Sequence, residues 1–174
     1  MDRFDFCRLI LLVLLLAATR SPAVLAQAST ASAQLAFTGD IQKPLSLSLD
    51  DLRHLPRRTI KVANEHQDNQ GEVYDGVLLA TLLKQAGVPQ GSQLWGAAMA
   101  TYILAEGSDG YRVTFSLAEL DSDFQDSEVM IADTLNGAPL GDKLGPLRLV
   151  VPHDKRPARW VRMLESIKVV SVPK

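Results

Sequence analysis

After residue 34, the hydrophobic positions of this 174-residue chain fall into short runs that alternate with polar positions or are rich in β-branched residues. Such runs are typical of β-strands, and Gly, Pro and Asn-Gly pairs separate them as turns do. The Asp109-Gly110 and Asn136-Gly137 pairs predict hairpin connections. The predicted strands span residues 35–38, 45–49, 59–63, 97–105, 111–115, 129–134, 147–151 and 167–172.

Three segments have the signals of short helices instead. Residues 77–86 (VLLATLLKQA) have helical periodicity, and Gly87 directly afterwards ends the helix. A capped helix start at Ser48 is stopped within two turns by Pro56, and residues 116–119 (SLAE) have capping-box spacing. The pattern therefore predicts an α+β fold in a single domain, with a mostly antiparallel or mixed sheet and short helices.

The longest apolar run, residues 9–18 (LILLVLLLAA), lies near the start and follows Arg3 and Arg8. Ten apolar residues are too few to cross a hydrocarbon core of about 30 Å as a helix. A charged start, a short apolar run and small residues after it are typical of a secretory signal peptide. We expect residues 1–26 to be the signal peptide, with cleavage after Ala28 as the alternative, and the retained membrane anchor is the competing interpretation. Residues 27–34 then form a flexible leader and residues 35–174 the domain.

Composition and charge narrow the class of protein. The chain is 47% hydrophobic and 22% charged, with a net charge of −2, so it is neither disordered nor basic enough to predict a nucleic-acid partner. Its one cysteine, Cys7, lies in the predicted signal peptide. Cleavage leaves no cysteine, which excludes disulfides and a cysteine nucleophile from the exported protein. Export without disulfides is compatible with a bacterial periplasm.

Motifs of common enzymes are absent from the sequence. There is no P-loop, GxGxxG, GxSxG, CxxC or HExxH pattern. The three histidines, His54, His66 and His153, are far apart along the chain, and no metal site is predicted from them. A Ser-His-Asp triad stays open, although no serine has the setting of a nucleophile elbow. On these grounds alone the protein is a small exported α+β domain with polar loops.

The order of short motifs carries a resemblance over about residues 35–172. It consists of GDI at 39–41, LxxLxxLP at 49–56, YDGVLL at 74–79, DGY at 109–111, FSLAEL at 115–120, NGAPL at 136–140, GPLRLVVP at 145–152 and RWVR at 159–162. This set resembles the molybdopterin-binding domain of the sulfite oxidase family, in its short single-domain periplasmic form. The resemblance implies a sulfite oxidase-like molybdopterin-binding fold, with a mixed sheet and a pterin-type or molybdopterin-like ligand held by loops along one edge.

Two positions depart from the catalytic members of that family. Those members ligate molybdenum with a cysteine in the loop after the third strand region, where this chain has residues 64–69 (NEHQDN). They also place a histidine before the glycine that matches Gly145, where this chain has residues 142–144 (DKL). Thiolate is the soft ligand that such a metal centre needs. We therefore expect a pterin pocket without molybdenum redox catalysis.

Some short relatives resemble the chain more closely than the enzymes do. They are periplasmic pterin-binding proteins that pass pterin status to membrane-bound cyclic-di-GMP enzymes. The resemblance thus implies a small-molecule pterin as ligand, the periplasmic domain of such an enzyme as partner, and a signalling role without turnover. Two alternatives stay open: a molybdenum-cofactor oxidoreductase with a ligand other than cysteine, and an interaction domain that has lost its ligand.

A pterin presents an amide N–H beside an exocyclic amine, a flat ring and a carbonyl. A carboxylate can accept both N–H groups, an aromatic side chain can stack on the ring, and a cation can bind the carbonyl or a phosphate tail. The strand alternation points Arg148 away from its apolar neighbours, and we interpret it as structural. Trp95 is a further stacking candidate. The candidate cofactor-binding residues are Glu65, His66, Asp109, Tyr111, His153, Lys155, Arg159 and Trp160.

Overall fold

The structure is a computed structural model that describes residues 34–63, 71–126 and 128–173. These residues form ten strands and two short α-helices. The strands are β1 (Gln34–Gly39), β2 (Leu45–Ser48), β3 (Arg58–Val62), β4 (Glu72–Leu78), β5 (Thr101–Gly107), β6 (Arg112–Ser116), β7 (Met130–Leu135), β8 (Ala138–Pro139), β9 (Arg148–Val150) and β10 (Leu164–Ser171). The helices are α1 (Leu49–Arg53) and α2 (Leu79–Gln85).

The first sheet has the strand order β2-β1-β10-β5-β6. Its one parallel pair joins the first and last strands of the domain, with Ala36 opposite Ser166 and Gly39 opposite Val169. The other three pairs are antiparallel. The sheet is therefore mixed, as the sequence predicts.

The second sheet is antiparallel and has the order β3-β4-β7-β8, with β9 also paired to β7. The β3–β4 pairing ends with Val62 opposite Glu72, so residues 63–71 connect two adjacent strand ends. Strand β9 continues into residues 151–163, which we call the 151–163 loop and which lead to β10 in the first sheet. The 151–163 loop positions the candidate site.

Side chains from both sheets and both helices form one hydrophobic core. Phe37, Ile103 and Ile167 fill it from the first sheet, and Tyr74 and Ile131 fill it from the second. The described residues belong to one compact unit, and no helix among them is long and apolar enough to cross a membrane. The predicted signal peptide and residues 27–33 of the predicted leader lie outside the described residues and stay predictions, whereas Gln34 is the first residue of β1.

Strands β1, β2, β3, β6, β7, β9 and β10 and helix α1 match the predicted segments within a few residues. Ser48 caps α1 through the predicted capping box. Three predictions were wrong in part. Residues 77–78 belong to strand β4, which the sequence analysis did not identify, and residues 96–100 form a 3₁₀ turn before β5. The segment after Ser116 has the predicted capping box but winds as a 3₁₀ turn.

Candidate functional site

Four of the candidate residues lie in the 151–163 loop, which the two sheets hold at both ends. The backbone N–H of Leu149 donates to Val161, and that of Leu164 donates to Leu147. Between these anchors, Pro157–Arg159 forms a 3₁₀ turn. The loop thus presents His153, Lys155, Arg159 and Trp160 from a fixed frame, whereas Glu65 and His66 lie outside the described residues.

Arg159 fastens the loop to the end of β6. Its Nε and Nη2 donate to the two carboxylate oxygens of Asp154 at 2.8 and 2.6 Å, and its Nη1 donates to Glu119 at 3.2 Å. The guanidinium also lies 4.6 Å from the centre of the Phe115 ring. The hydrogen bonds that Arg159 donates to Asp154, and then to Glu119, outweigh partial burial and raise the pKa of Arg159. Three of its five N–H donors are therefore committed to carboxylates of the protein itself.

Asp109 and Tyr111 lie together against the other side of the same loop. The carboxylate of Asp109 accepts the backbone N–H of Tyr111 at 3.0 Å, and the Tyr111 hydroxyl donates to the carbonyl of Ala158 at 2.5 Å. The backbone N–H of Ser108 donates to Met163. Tyr111 is 48% exposed, so its ring offers an accessible aromatic face beside an accessible carboxylate.

Trp160 lies in the core, where it forms a cluster with Tyr74, Arg148 and Glu72 that we call the Arg148 cluster. Its indole N–H donates to the carbonyl of Val151, and its ring meets Tyr74 edge-on with centroids 5.7 Å apart. The Arg148 guanidinium lies 4.9 Å from the Trp160 ring centre and 5.6 Å from that of Tyr74. The aromatic pair therefore holds a cation rather than an open stacking surface.

A chain of hydrogen bonds runs through the Arg148 cluster. Arg148 Nη1 donates to the Tyr74 hydroxyl at 2.7 Å, and that hydroxyl donates to Glu72 Oε2 at 2.7 Å. Burial and the hydrogen bond to Glu72 raise the pKa of Tyr74, while the charge of Arg148 opposes them. The phenol therefore stays protonated and keeps its donor role at neutral pH.

Arg148 Nε is the one buried side-chain nitrogen or oxygen of the described residues without a hydrogen-bond partner. Leaving such a donor unpaired costs about 1 to 3 kcal/mol, which is why it needs an explanation. Sequence reasoning placed Arg148 opposite Leu147 and Leu149, which are both buried, but interpreted it as structural. The sequence signal that could have identified Arg148 as a site residue is a charged residue in the middle of an apolar run.

The remaining candidates lie apart from this cluster. Lys155 is exposed in the 151–163 loop, and Trp95 is 75% exposed before the 3₁₀ turn at residues 96–100. His153 lines a cleft of about 1030 Å³ between α2 and residues 120–129. The structure thus joins Asp109 and Tyr111 to the loop segment that also carries Arg159, and it does not group His153 or Trp95 with them.

Removing the Arg159 contacts is expected to loosen the 151–163 loop without unfolding the domain. In Arg159→Met, amide hydrogen exchange at residues 153–160 should accelerate about tenfold, because two carboxylates lose their donor and the loop loses its attachment to Glu119. Arg156→Met removes an exposed cation from the same loop and serves as the control. Equal exchange in the two variants would show that Arg159 does not fasten the loop.

Comparison with known proteins gives the class. The chain matches the family described as Oxidoreductase molybdopterin binding domain over residues 22–174, and it belongs to that family. Sulfite oxidase from Arabidopsis thaliana is 26% identical over 169 residues, which cover 80% of this chain and 42% of sulfite oxidase. The resemblance to the sulfite oxidase family is therefore confirmed.

A solved structure supports the same fold. The crystal structure of the sulfane dehydrogenase SoxCD from Paracoccus pantotrophus aligns with a TM-score of 0.61 and 26% identity, over 79% of this chain and 38% of that one. The predicted fold, a sulfite oxidase-like domain with mixed sheets and few short helices, is confirmed. The chain spans about two fifths of the length of each of these two relatives.

The family implies a molybdopterin cofactor. The residues present suit the molybdenum and the pterin ring of this cofactor differently. The sequence holds no cysteine after Cys7, and no group of three or more His, Cys, Asp or Glu in the described ranges is placed to hold a metal ion. The thiolate that molybdenum needs is therefore missing, and the residues present do not fit the metal. Tyr111 and Asp109 offer an exposed aromatic face and a carboxylate, which are groups that a pterin ring can contact, and Arg148 Nε is a buried donor without a partner.

Proposed function

We propose that the protein binds a pterin in the periplasm, performs no molybdenum redox chemistry, and relays the presence of the pterin to a membrane-bound signalling enzyme. The domain family supports a pterin-type ligand. The lack of any cysteine after Cys7 supports binding without redox turnover, since the exported chain has no thiolate for the metal.

The single observation that carries the binding proposal is the unpaired Nε of Arg148, whose guanidinium is linked through the Tyr74 hydroxyl to Glu72 at the start of β4. Val62 and Glu72 hold the two ends of the 63–71 connection together, and Glu72 accepts from Tyr74 beside Arg148. The corresponding connection supplies the metal-ligating cysteine in the catalytic relatives. A buried donor at the place where the family holds its cofactor favours a ligand oxygen as its missing partner.

The other contacts follow from the chemistry of the pterin ring. The accessible ring of Tyr111 would stack on the heterocycle. The free carboxylate oxygen of Asp109, or the carboxylate of Glu65, would accept the N–H groups of the heterocycle. Lys155 and His153 would bind a tail, and His66 would add a hydrogen bond. Arg159 and Trp160 contribute by holding the 151–163 loop and Arg148 in position.

The test is a ligand analysis of mature protein purified from the periplasm of its native host. The protein is denatured, the released molecules are oxidised, and pterin fluorescence, pterin mass and molybdenum content are measured on the same sample. Pterin at near one equivalent without molybdenum is the expected result. Stoichiometric molybdenum would overturn the non-redox part of the proposal, and a protein that neither carries nor rebinds pterin at micromolar concentration would overturn the binding part.

Localisation and partner are tested separately. N-terminal sequencing of the protein in the periplasmic fraction is expected to begin at Gln27. A protein that still begins at Met1 would contradict export with cleavage. Cross-linking in intact cells should then connect the protein to a membrane enzyme of cyclic-di-GMP metabolism. Deleting the gene should change the cellular concentration of cyclic-di-GMP. An unchanged concentration, together with full pterin binding by the purified protein, would contradict the relay and leave only the binding part of the proposal.

A further inference from the structure

The cleft between α2 and residues 120–126 and 128–129 is separate from the Arg148 cluster, and His153 is the one lining residue that also has a role in the proposed function. Its volume of about 1030 Å³ is at the upper end of the range of small-molecule sites, about 300 to 1,000 Å³. Leu78, Val88, Leu120 and Val129 give it an apolar floor, and three of these four side chains are buried. The cleft is open to solvent, and its size and partly apolar lining are compatible with a small-molecule ligand.

A buried carboxylate fixes the distance between the walls of this cleft. Asp121 is 6% exposed, and its Oδ2 accepts the backbone N–H of Gly91 from the opposite wall at 2.6 Å. Its Oδ1 accepts the backbone N–H of Asp123 from its own wall at 2.9 Å. The backbone of both walls is thereby pinned to one side chain, so the cleft is formed before any ligand arrives.

The two walls carry opposite charges that the protein itself does not neutralise. Lys84 lies on the α2 wall and Asp123 and Asp126 on the other, and within residues 34–63, 71–126 and 128–173 none of the three side chains makes an ion pair or a hydrogen bond. Glu128, by contrast, is paired with Arg58. The side-chain oxygen of Gln90 is also available, because its amide nitrogen donates to the carbonyl of Ala80.

We propose that this cleft binds a short peptide with free termini, its amino group facing Asp123 and Asp126 and its carboxylate facing Lys84. A ligand with only positive charge would leave Lys84 unpaired and repelled, and a ligand with only negative charge would face the two carboxylates. A zwitterion satisfies both walls. An apolar side chain would pack on the floor, and Gln90 would accept a peptide N–H. None of the residues assigned to the peptide takes part in the proposed pterin contacts.

The test is isothermal titration of the mature protein with the tripeptides Ala-Ala-Ala and Leu-Gly-Gly and with their N-acetylated and C-amidated forms. We expect at least one free tripeptide to bind, and each blocked terminus to weaken binding about tenfold, which is the usual effect of one charge-assisted contact. In Lys84→Met, amidation should have no further effect. In Asp123→Asn with Asp126→Asn, acetylation should have none.

Lys168→Met and Asp142→Asn remove exposed charges outside the cleft and should bind as the parent protein does. The proposal is overturned if no tripeptide binds at about 1 mM, a concentration that detects even weak sites. It is also overturned if blocking the termini or changing Lys84 leaves binding unchanged, or if spermidine binds more tightly than the tripeptides. Pterin titration of the same variants reports on the proposed function separately, since none of these residues lies in the Arg148 cluster.

Discussion

Replacing Arg57 with methionine is expected to lower the free energy of unfolding by about 2 to 3 kcal/mol at pH 7. The guanidinium of Arg57 donates to both carboxylate oxygens of Asp133, at 2.6 and 2.7 Å. The Asp133 side chain is 5% exposed and that of Arg57 is 32% exposed. The variant leaves a buried charge with only the Thr134 hydroxyl as donor, and the partial exposure of Arg57 places the loss below that of a fully buried pair.

The pH dependence of this loss has a definite sign. Burial alone would raise the pKa of Asp133, but the hydrogen bonds from Arg57 and Thr134 and the charge of Arg57 hold it below its usual value. In the parent protein the carboxylate therefore stabilises the fold above the unfolded pKa of about 3.9, and this contribution is lost as the pH falls through the folded pKa. Without Arg57, burial dominates and the pKa of Asp133 rises, so the variant's deficit is full at pH 7 and shrinks towards pH 4.

Urea unfolding at several pH values measures both effects. Arg58→Met is the matched control, because Arg58 pairs with Glu128 at side-chain exposures of 58% and 41%. Exposed pairs contribute little, so this variant should change the free energy of unfolding by about 0.5 kcal/mol or less at every pH. A loss in Arg57→Met that matched the control, or that grew as the pH fell, would contradict the account of a buried pair.

Strand β4 shows what the sequence could not reveal about the fold. Asp75-Gly76 looks like a turn and residues 77–86 look like one helix, so local signals hide a strand that ends at Leu78. Gly76 is needed for a tertiary reason: a Cβ at this position would lie 2.1 Å from the carbonyl oxygen of Ile131 on β7. The register with β7 also shifts between Asp75 and Gly76. Only the approach of a strand more than 50 residues away determines the choice of glycine.

Several individual residues of the candidate site could be predicted from the sequence, but the contacts between them could not. The motif order identified the family and the 151–163 loop, and strand alternation separated Arg148 from Leu147 and Leu149. No local pattern, however, could pair Tyr74 with Trp160, which are far apart along the chain and meet at 5.7 Å. For the same reason Trp160 was a candidate for stacking on a ligand, whereas the structure places its ring beside the Arg148 guanidinium.

Replacing Arg148 with methionine is expected to weaken pterin binding about 100-fold, since a desolvated cationic donor to a ligand oxygen contributes a few kcal/mol. The same change should leave the free energy of unfolding within about 1 kcal/mol of the parent value. Methionine fills the space between Tyr74 and Trp160 as an unbranched side chain. It also removes the buried Nε that has no partner, while the Tyr74 hydroxyl keeps Glu72 as its acceptor.

This combination separates a ligand-binding arginine from a structural one. A structural Arg148 would produce the reverse result, a clear loss of stability with pterin affinity unchanged among the molecules that stay folded. Arg148→Lys keeps the charge but loses the planar array of donors, so its pterin affinity should lie between those of the parent and the methionine variant. Arg162→Met, an exposed arginine of the 151–163 loop, should retain full affinity. Fluorescence titration with a pterin measures binding, and urea unfolding measures stability. Arg148 also orders the Tyr74–Glu72 hydrogen bond, so its replacement could affect both. Both measurements on both variants are therefore needed to place the ligand at the Arg148 cluster.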